Sequence, residues 1–125
     1  MTESRAPYCN LSWSITVTGN PIPKGRPQFK NGHAYTPKHT REYESLVSQA
    51  AGIAWSGEPA MGDLSVTLRF YRANRIRCDI DNLIKSVADS LNGVIWDDDD
   101  QIVELHATKN YDKDRPRVEI TVEPA

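Results

Sequence analysis

The apolar residues of this chain change period several times, and that succession limits the folds open to it more than any other feature. Leu11, Trp13, Ile15 and Val17 alternate with polar residues, the period-two signature of a half-buried strand, which the sequence ends near Gly19. Asn20 to Pro37 then carries four of the eight prolines and two glycines, and reads as a long loop or small hairpin. Thr36 as N-cap with Pro37 in the first turn opens a helix to about Trp55, along which Tyr43, Leu46, Val47, Ala50 and Ala54 recur at three and four residues. Gly57, Pro59 and Gly62 break it, and Leu64, Val66, Leu68 and Phe70 alternate as a second strand. Leu83, Ile84, Val87, Ala88 and Leu91 form one apolar helical face that stops at Asn92 and Gly93. Val103, Leu105 and Ala107 predict a third strand and Val118, Ile120 and Val122 a fourth, joined through the polar stretch Asn110 to Pro116. The order β, loop, α, β, α, β, β, with neither repeat nor linker, predicts a single α+β domain over residues 1–125: a mixed sheet of about four strands with two helices packed on it.

Composition narrows function less than the placement of charge does. A chain of 125 residues with 38% hydrophobic and 26% charged residues has the balance of one ordinary globular domain. No apolar run approaches the roughly 18 residues of a membrane span, and Met1 to Asn10 lacks the blocks of a signal peptide, so no membrane association and a cytoplasmic location are expected. Two cysteines, Cys9 and Cys78, make neither a zinc site nor a disulfide framework and are expected to be reduced. The net charge of −2 argues on its face against a nucleic-acid partner. The charges are segregated, however. Pro21 to Arg41 holds five basic residues (Lys24, Arg26, Lys30, Lys38, Arg41) and no acid, and Arg69 to Cys78 holds four arginines (Arg69, Arg72, Arg75, Arg77) and no acid. Asp79 to Asp100 then holds seven aspartates against Lys85 alone. Such a field draws a polyanion to the basic faces and keeps a concentrated carboxylate site for cations.

The chemistry concentrates in Asp79-Ile80-Asp81-Asn82-Leu83-Ile84-Lys85. In extended backbone, Asp79 and Asp81 lie two apart and point to one side, where one metal can bridge them; Asp81 and Lys85, four apart at a helix start, put an ammonium beside the same carboxylate or beside an anion the metal brings in. Oxygen ligands without histidine or cysteine select Mg2+, with Mn2+ as the alternative, and suit phosphoryl transfer. The plainer alternative makes Asp79 or Asp81 an N-cap and Asp81–Lys85 an exposed helical pair contributing about 0.3–0.5 kcal/mol. A second cluster, Asp97-Asp98-Asp99-Asp100, shifts the balance: four adjacent carboxylates repel one another unless solvent or a cation compensates. Its flanks Val94-Ile95-Trp96 and Ile102-Val103 are apolar and expected to be buried, pinning the acidic turn near the end of the second helix, where one carboxylate can complete a metal site with Asp79 and Asp81.

These residues resemble the RusA-like Holliday junction resolvases. The resemblance rests on D-x-D-N-L-x-K at Asp79 to Lys85, the helix continuing to Asp89 and Leu91, a glycine, an aromatic, and D-D-x-Q at Asp98-Asp99-Asp100-Gln101. Pro21-Ile22-Pro23-Lys24-Gly25-Arg26-Pro27 and Ala34-Tyr35-Thr36-Pro37 match the family's loop and the start of its helix, so that most of the chain is covered. The resemblance implies one RusA-like domain over 1–125, acting as a homodimeric, magnesium-dependent endodeoxyribonuclease that cuts four-way DNA junctions in recombination and repair. It also implies metal carboxylates at Asp79, Asp81 and Asp99 and a catalytic lysine at Lys85. The run of four aspartates leaves Asp98 as an alternative third ligand, with Asp97 and Asp100 as spectators.

Around this centre, Arg75 and Arg77 are candidates for holding phosphates, and Lys24, Arg26 and Lys30 for contacting junction arms, with ion pairing to the acidic block as the alternative for all five. Trp13, Phe70 and Trp96 are assigned to the core, while Phe29 and Tyr35 can stack on exposed bases. His33, His39 and His106 are scattered and read as surface or phosphate-contacting residues, not zinc ligands. Two other functions compete: a nonenzymatic, cation-dependent DNA-binding dimer, which has no need of Lys85 beside its ligands, and a metal-dependent nucleotide phosphohydrolase, for which the sequence lacks a G-x-x-x-x-G-K-[ST] cradle.

Overall fold

The structure is a computed structural model and describes residues 12–25, 28–35, 37–55 and 57–125, with the backbone alone at Gln28, Lys30 and Tyr35. Six strands and two helices follow one another as β1 (Trp13–Thr18), β2 (Gln28–Lys30), β3 (His33–Tyr35), α1 (Lys38–Ala54), β4 (Leu64–Arg72), α2 (Ile80–Leu91), β5 (Ile102–Tyr111) and β6 (Arg117–Pro124). Four strands form one mixed sheet in the order β1-β6-β4-β5, antiparallel except for the parallel pair β4–β5. The single α+β domain with a four-stranded mixed sheet and two helices read from the sequence is the fold observed.

Register explains which residues make the core. Ile15, Ile120, Leu68 and Ala107 lie in one row across the sheet, and Val17, Val118, Phe70 and Lys109 in the next. With a side-chain period of two, these rows share the face covered by the helices. Val66, Leu68, Phe70, Val118, Ile120, Leu83, Val87, Leu91, Ile95 and Trp96 are buried there. Trp13 only packs against the rim of this core, edge-on to Trp55 at 5.2 Å between ring centroids. Full burial of Leu83, Val87 and Leu91 holds α2 to the sheet, at about 1.5–3 kcal/mol each. That leaves the face carrying Asp81, Lys85 and Asp89 exposed.

The structure departs from the sequence reading in three places, and bears out the small hairpin read in the proline-rich stretch. α1 starts at Lys38 behind Pro37, which offers no side-chain cap, while Thr36 lies outside the described residues. The proline-rich stretch contains the hairpin β2–β3, closed by Asn31 and Gly32, both at positive φ, as a two-residue hairpin turn requires. β5 is longer than its apolar residues suggested and lies at the sheet edge, and this leaves Val103 55% and Leu105 43% exposed where burial was expected. A register irregularity opposite Leu64 and Ser65 further removes Val103 from the alternation. Finally, Asp81 is already in the first turn of α2 and only Asp79 is extended, so the two are not related as alternate residues of a strand.

The first loop is laid against α2 by its backbone. Lys24 N–H donates to the Asn82 carbonyl at 2.7 Å, and the buried Ser86 hydroxyl to the Ile22 carbonyl at 2.8 Å. Gly25 approaches α1 so closely that a Cβ there would sit 2.9 Å from Pro37 Cγ and 3.1 Å from Thr40 Oγ1. No helix among the described residues is long and apolar enough to cross a membrane.

Candidate active site

Asp79 occupies the N-cap position of α2, yet its side chain makes no capping bond; its carbonyl instead accepts from Asn82 and Leu83 N–H. Asp81 follows in the first turn and Lys85 one turn later, all three exposed. None of the three side chains has an ion-pair or hydrogen-bond partner among the described residues, and the Asp81–Lys85 helical pair does not form within 4.0 Å. The plainer alternative for these residues, a cap and an exposed pair, is thus not what the side chains do. Negative charge is favoured at this end of the helix by the backbone dipole, which makes it a stable place to keep two unneutralised carboxylates.

The acidic turn is built differently. α2 ends at Leu91, the Asn92 side chain accepts from the Trp96 indole N–H at 2.8 Å, and buried Ile95 and Trp96 anchor the turn as its apolar flank suggested. Asp98 caps a short 3-10 turn, Asp99–Gln101. Its carboxylate accepts from Asp100 N–H at 3.0 Å, while Gln101 reaches back to Asp97 and Asp98 N–H and donates to the Ala60 and Gly62 carbonyls. Asp98 therefore has a structural task that Asp99 lacks. A hydrogen bond shared with Asp98, slight burial, and then the charges of Asp98, Asp89 and Asp100 raise the Asp99 pKa above the usual carboxylate range. Proton or cation binding would relieve that repulsion.

The two carboxylate groups lie at opposite ends of α2, a helix of twelve residues and about 18 Å. Lys109, near the end of β5, donates to the Cys78 carbonyl beside Asp79 at 2.7 Å, whereas Asp99 directly precedes the start of β5 at Ile102. Ligand oxygens of one magnesium ion lie within about 4 Å of each other, given metal–oxygen distances near 2.1 Å. Asp79 and Asp81 thus cannot share an ion with Asp98 or Asp99 of the same chain in this arrangement. In agreement, no group of three His, Cys, Asp or Glu side chains is placed to hold a metal among the described residues. The donor chemistry nonetheless fits a hard divalent cation at either end: exposed carboxylates that no group of histidine or cysteine joins to form a metal site among the described residues.

The basic candidates separate as well. Arg75 and Arg77 are exposed on the loop leading to Asp79, and Arg75 stacks over the Tyr111 ring, 4.5 Å from its centroid. Lys24, expected at a DNA arm, is drawn inward: its ammonium binds Glu44 of α1 at 2.7 Å and Asp89 of α2 at 3.0 Å. Burial lowers the Lys24 pKa, but the two carboxylate bonds outweigh it and hold the group above the ordinary lysine range. Arg26 and the side chains of Lys30 and Tyr35 lie outside the described residues; Phe29 on β2 is exposed. His33, His39 and His106 are surface residues, and Cys78 is a free thiol, with Cys9 outside the described residues. Sequence reasoning did not single out Asp89, Glu44, Arg72, Lys109 or Tyr111 as site residues, because each earns its place through a contact distant in sequence. Only the position of Asp89 one turn beyond Lys85 was a local signal.

Exposed carboxylates, an unpaired lysine and a cationic loop on an α+β sheet are the groups that metal-assisted phosphodiester chemistry draws on. The family model described as "Endodeoxyribonuclease RusA" matches residues 18–123, and the chain belongs to that family of endodeoxyribonucleases. It is 30% identical over 108 residues to the crossover junction endodeoxyribonuclease RusA of Aquifex aeolicus (strain VF5), covering 83% of this chain and 85% of that protein. It is 28% identical over 133 residues to the uncharacterized protein YqaN of Bacillus subtilis (strain 168), covering 86% and 93%.

Proposed function

We propose that this endodeoxyribonuclease resolves four-way DNA junctions as a homodimer, with magnesium held by Asp79 and Asp81 of one protomer and Asp99 of the other. The observation that carries the reading is the state of Asp79, Asp81 and Lys85: three charged side chains at one helix start, all exposed and none spent on a structural bond. A fold-stabilising cation site has no use for the unpaired ammonium of Lys85, which disfavours the nonenzymatic DNA-binding dimer. The open, exposed setting offers no enclosed nucleotide cradle, which disfavours a nucleotide phosphohydrolase.

The dimer follows from the length of α2. Asp99 cannot reach Asp79 within one chain, but a two-fold axis across the middle of β5 and α2 exchanges their ends and sets one protomer's acidic turn beside the other's helix start. β5 offers the means: it is a ten-residue strand at the sheet edge with exposed Val103 and Leu105, and antiparallel self-pairing along it has this symmetry. Two composite sites result, one for each of the two symmetry-related strands of a junction.

In such a site Asp79 and Asp81, with Asp99 of the partner subunit, would hold a divalent cation, which would supply activation of water and charge compensation at the scissile phosphate. Asp79 and Asp81 orient the metal from a helix end whose dipole tolerates their charge. Lys85, one turn along the same face, places a fixed ammonium against the negative charge that develops on the phosphate oxygens. Arg75 and Arg77 hold the adjacent backbone, and the exposed Phe29 on the hairpin offers a ring to bases unstacked at the crossover. Incubating the protein and magnesium with a labelled four-way junction, and separately with its matched duplex, tests the reading. Paired, symmetrical cuts in the junction alone are expected; equal cutting of the duplex, or none of either, would refute it.

A further inference from the structure

The charge that the site described so far leaves unexplained is Arg72. It ends β4 with 7% of its surface exposed, and its two bonds go to neutral carbonyls: Nε to Pro21 at 3.4 Å and a terminal nitrogen to Ile76 at 2.7 Å. A guanidinium carries five N–H donors, so most of its donor capacity is unspent. Arg72 lines a cavity of about 470 Å³ between the loop that leads into α2 and the end of β5, together with Arg75, Arg77, Lys109, Asn110 and Tyr111. Four cations therefore face one space that no Asp or Glu lines, and none of the four is in an ion pair among the described residues.

Three of the four cations are fixed without being neutralised. Arg72 is clamped by carbonyls, Lys109 by the Cys78 carbonyl at 2.7 Å, and Arg75 by the face of Tyr111. Like charges held together in this way repel, and the arrangement is costly unless an anion enters. Small-molecule pockets of this size are lined mainly by apolar groups, whereas a planar guanidinium fork beside an ammonium matches a phosphate.

We propose that this cavity is a phosphodiester subsite that grips a DNA backbone phosphate next to the one that is cut. Arg72 is its buried member, and Lys109, Arg75 and Arg77 line it from exposed positions. Because the Lys109 and Arg72 contacts land on the carbonyls of Cys78 and Ile76, a phosphate held there is in register with Asp79. The assignment rests on the reading of the protein as a DNA nuclease, but the anion site itself can be tested apart from it.

The test uses the full chain. Side-chain nitrogen resonances of labelled arginine and lysine are followed while inorganic phosphate is added at constant ionic strength, with chloride as the control. Saturable shifts at Arg72 Nε and Lys109 Nζ, absent with chloride, are expected whether or not the protein cuts junctions; non-saturating or evenly spread shifts would overturn the anion site. Lys109→Gln, an exposed position that spares the buried clamp, should weaken phosphate binding about tenfold and lower the salt slope of junction binding by about one. A cleavage defect with an unchanged salt slope would show that Lys109 only positions Cys78, and would overturn its role in the subsite. Replacing the phosphate adjacent to the cut by a neutral methylphosphonate should weaken wild-type binding more than it weakens Lys109→Gln, which has already lost one of the four cations. Equal losses in both, or none in either, would mean the site serves free phosphate and not the DNA backbone. Absence of junction cleavage by wild type alongside intact phosphate shifts would overturn the nuclease reading and leave the anion site standing.

Discussion

The two ends of α2 both carry clustered aspartates, but they carry them against opposite backgrounds. At the start of the helix, Asp79 and Asp81 sit where the backbone dipole favours negative charge, beside Lys85 and four unneutralised cations. At its end, Asp89 and the run Asp97 to Asp100 sit where the dipole disfavours negative charge, with no basic residue in the last turn and, among the described residues, only Lys24 reaching in to bind Asp89. The first cluster is compatible with stability and the second works against it. A cluster that works against stability is one a cation would relieve, and in the proposed homodimer the start of a partner's α2 would supply the matching half-site.

The strongest way to break this comparison is to mix inactive proteins. Asp79→Asn and Asp99→Asn should each lower magnesium-dependent cleavage by more than about a hundredfold. Mixed so that subunits exchange, they should regain single-strand nicking, because one composite site in each heterodimer is then intact. Gel assays of junction cleavage read this directly, and a mixture as inactive as its parts would place the third carboxylate within the same chain.

The basic side of the comparison is tested by salt. Junction affinity should fall about 10³- to 10⁵-fold between 50 and 200 mM salt if six to ten phosphates are contacted, despite the net charge of −2. A flat titration would mean that the arginines pair with acids in solution. Lys24 should behave differently from Arg75 and Arg77, since it is committed to Glu44 and Asp89. Lys24→Met should lower unfolding stability by about 1–2 kcal/mol, the worth of partly exposed charge-assisted bonds, and change the salt slope little. Because its pKa is raised, the stability it lends is complete below the ordinary lysine pKa of 10.5 and is lost as pH rises through the raised value. Denaturant titrations of wild type and Lys24→Met at neutral and alkaline pH should therefore converge as pH increases.

The smallest effects discriminate most finely between the two helix ends. Asp81→Asn should destabilise the protein by about 0.5 kcal/mol through loss of a favourable dipole interaction, whereas Asp97→Asn and Asp100→Asn should stabilise it by a similar amount. Asp98→Asn should be nearly neutral in stability, since asparagine caps as well as aspartate, and intermediate in cleavage. Calorimetric midpoints of the four variants would expose a failure of the comparison as shifts of one sign at both ends.

Much of this was legible in the chain itself. The order of elements, the buried face of α2 and the alternation of β4 and β6 all come from periodicity, which is a local property. The grouping of Asp79, Asp81 and Lys85 and the run Asp97 to Asp100 are likewise written in residue types and spacing, whereas the choice of Asp99 as the proposed third ligand comes from the family resemblance. What tertiary structure decided is everything that depends on pairing across long separations. Strand β5 pairs parallel to β4 at the sheet edge, so Val103 and Leu105 are exposed instead of buried. Arg72 joins the core with its charge unmatched, and Lys24 turns inward to two acids. Most consequentially, a helix of about 18 Å separates aspartates that the sequence had grouped into one site. Periodicity tells each segment which face to bury, but it carries no information on which strand lies beside which, and that long-range register sets the distances on which a metal site depends.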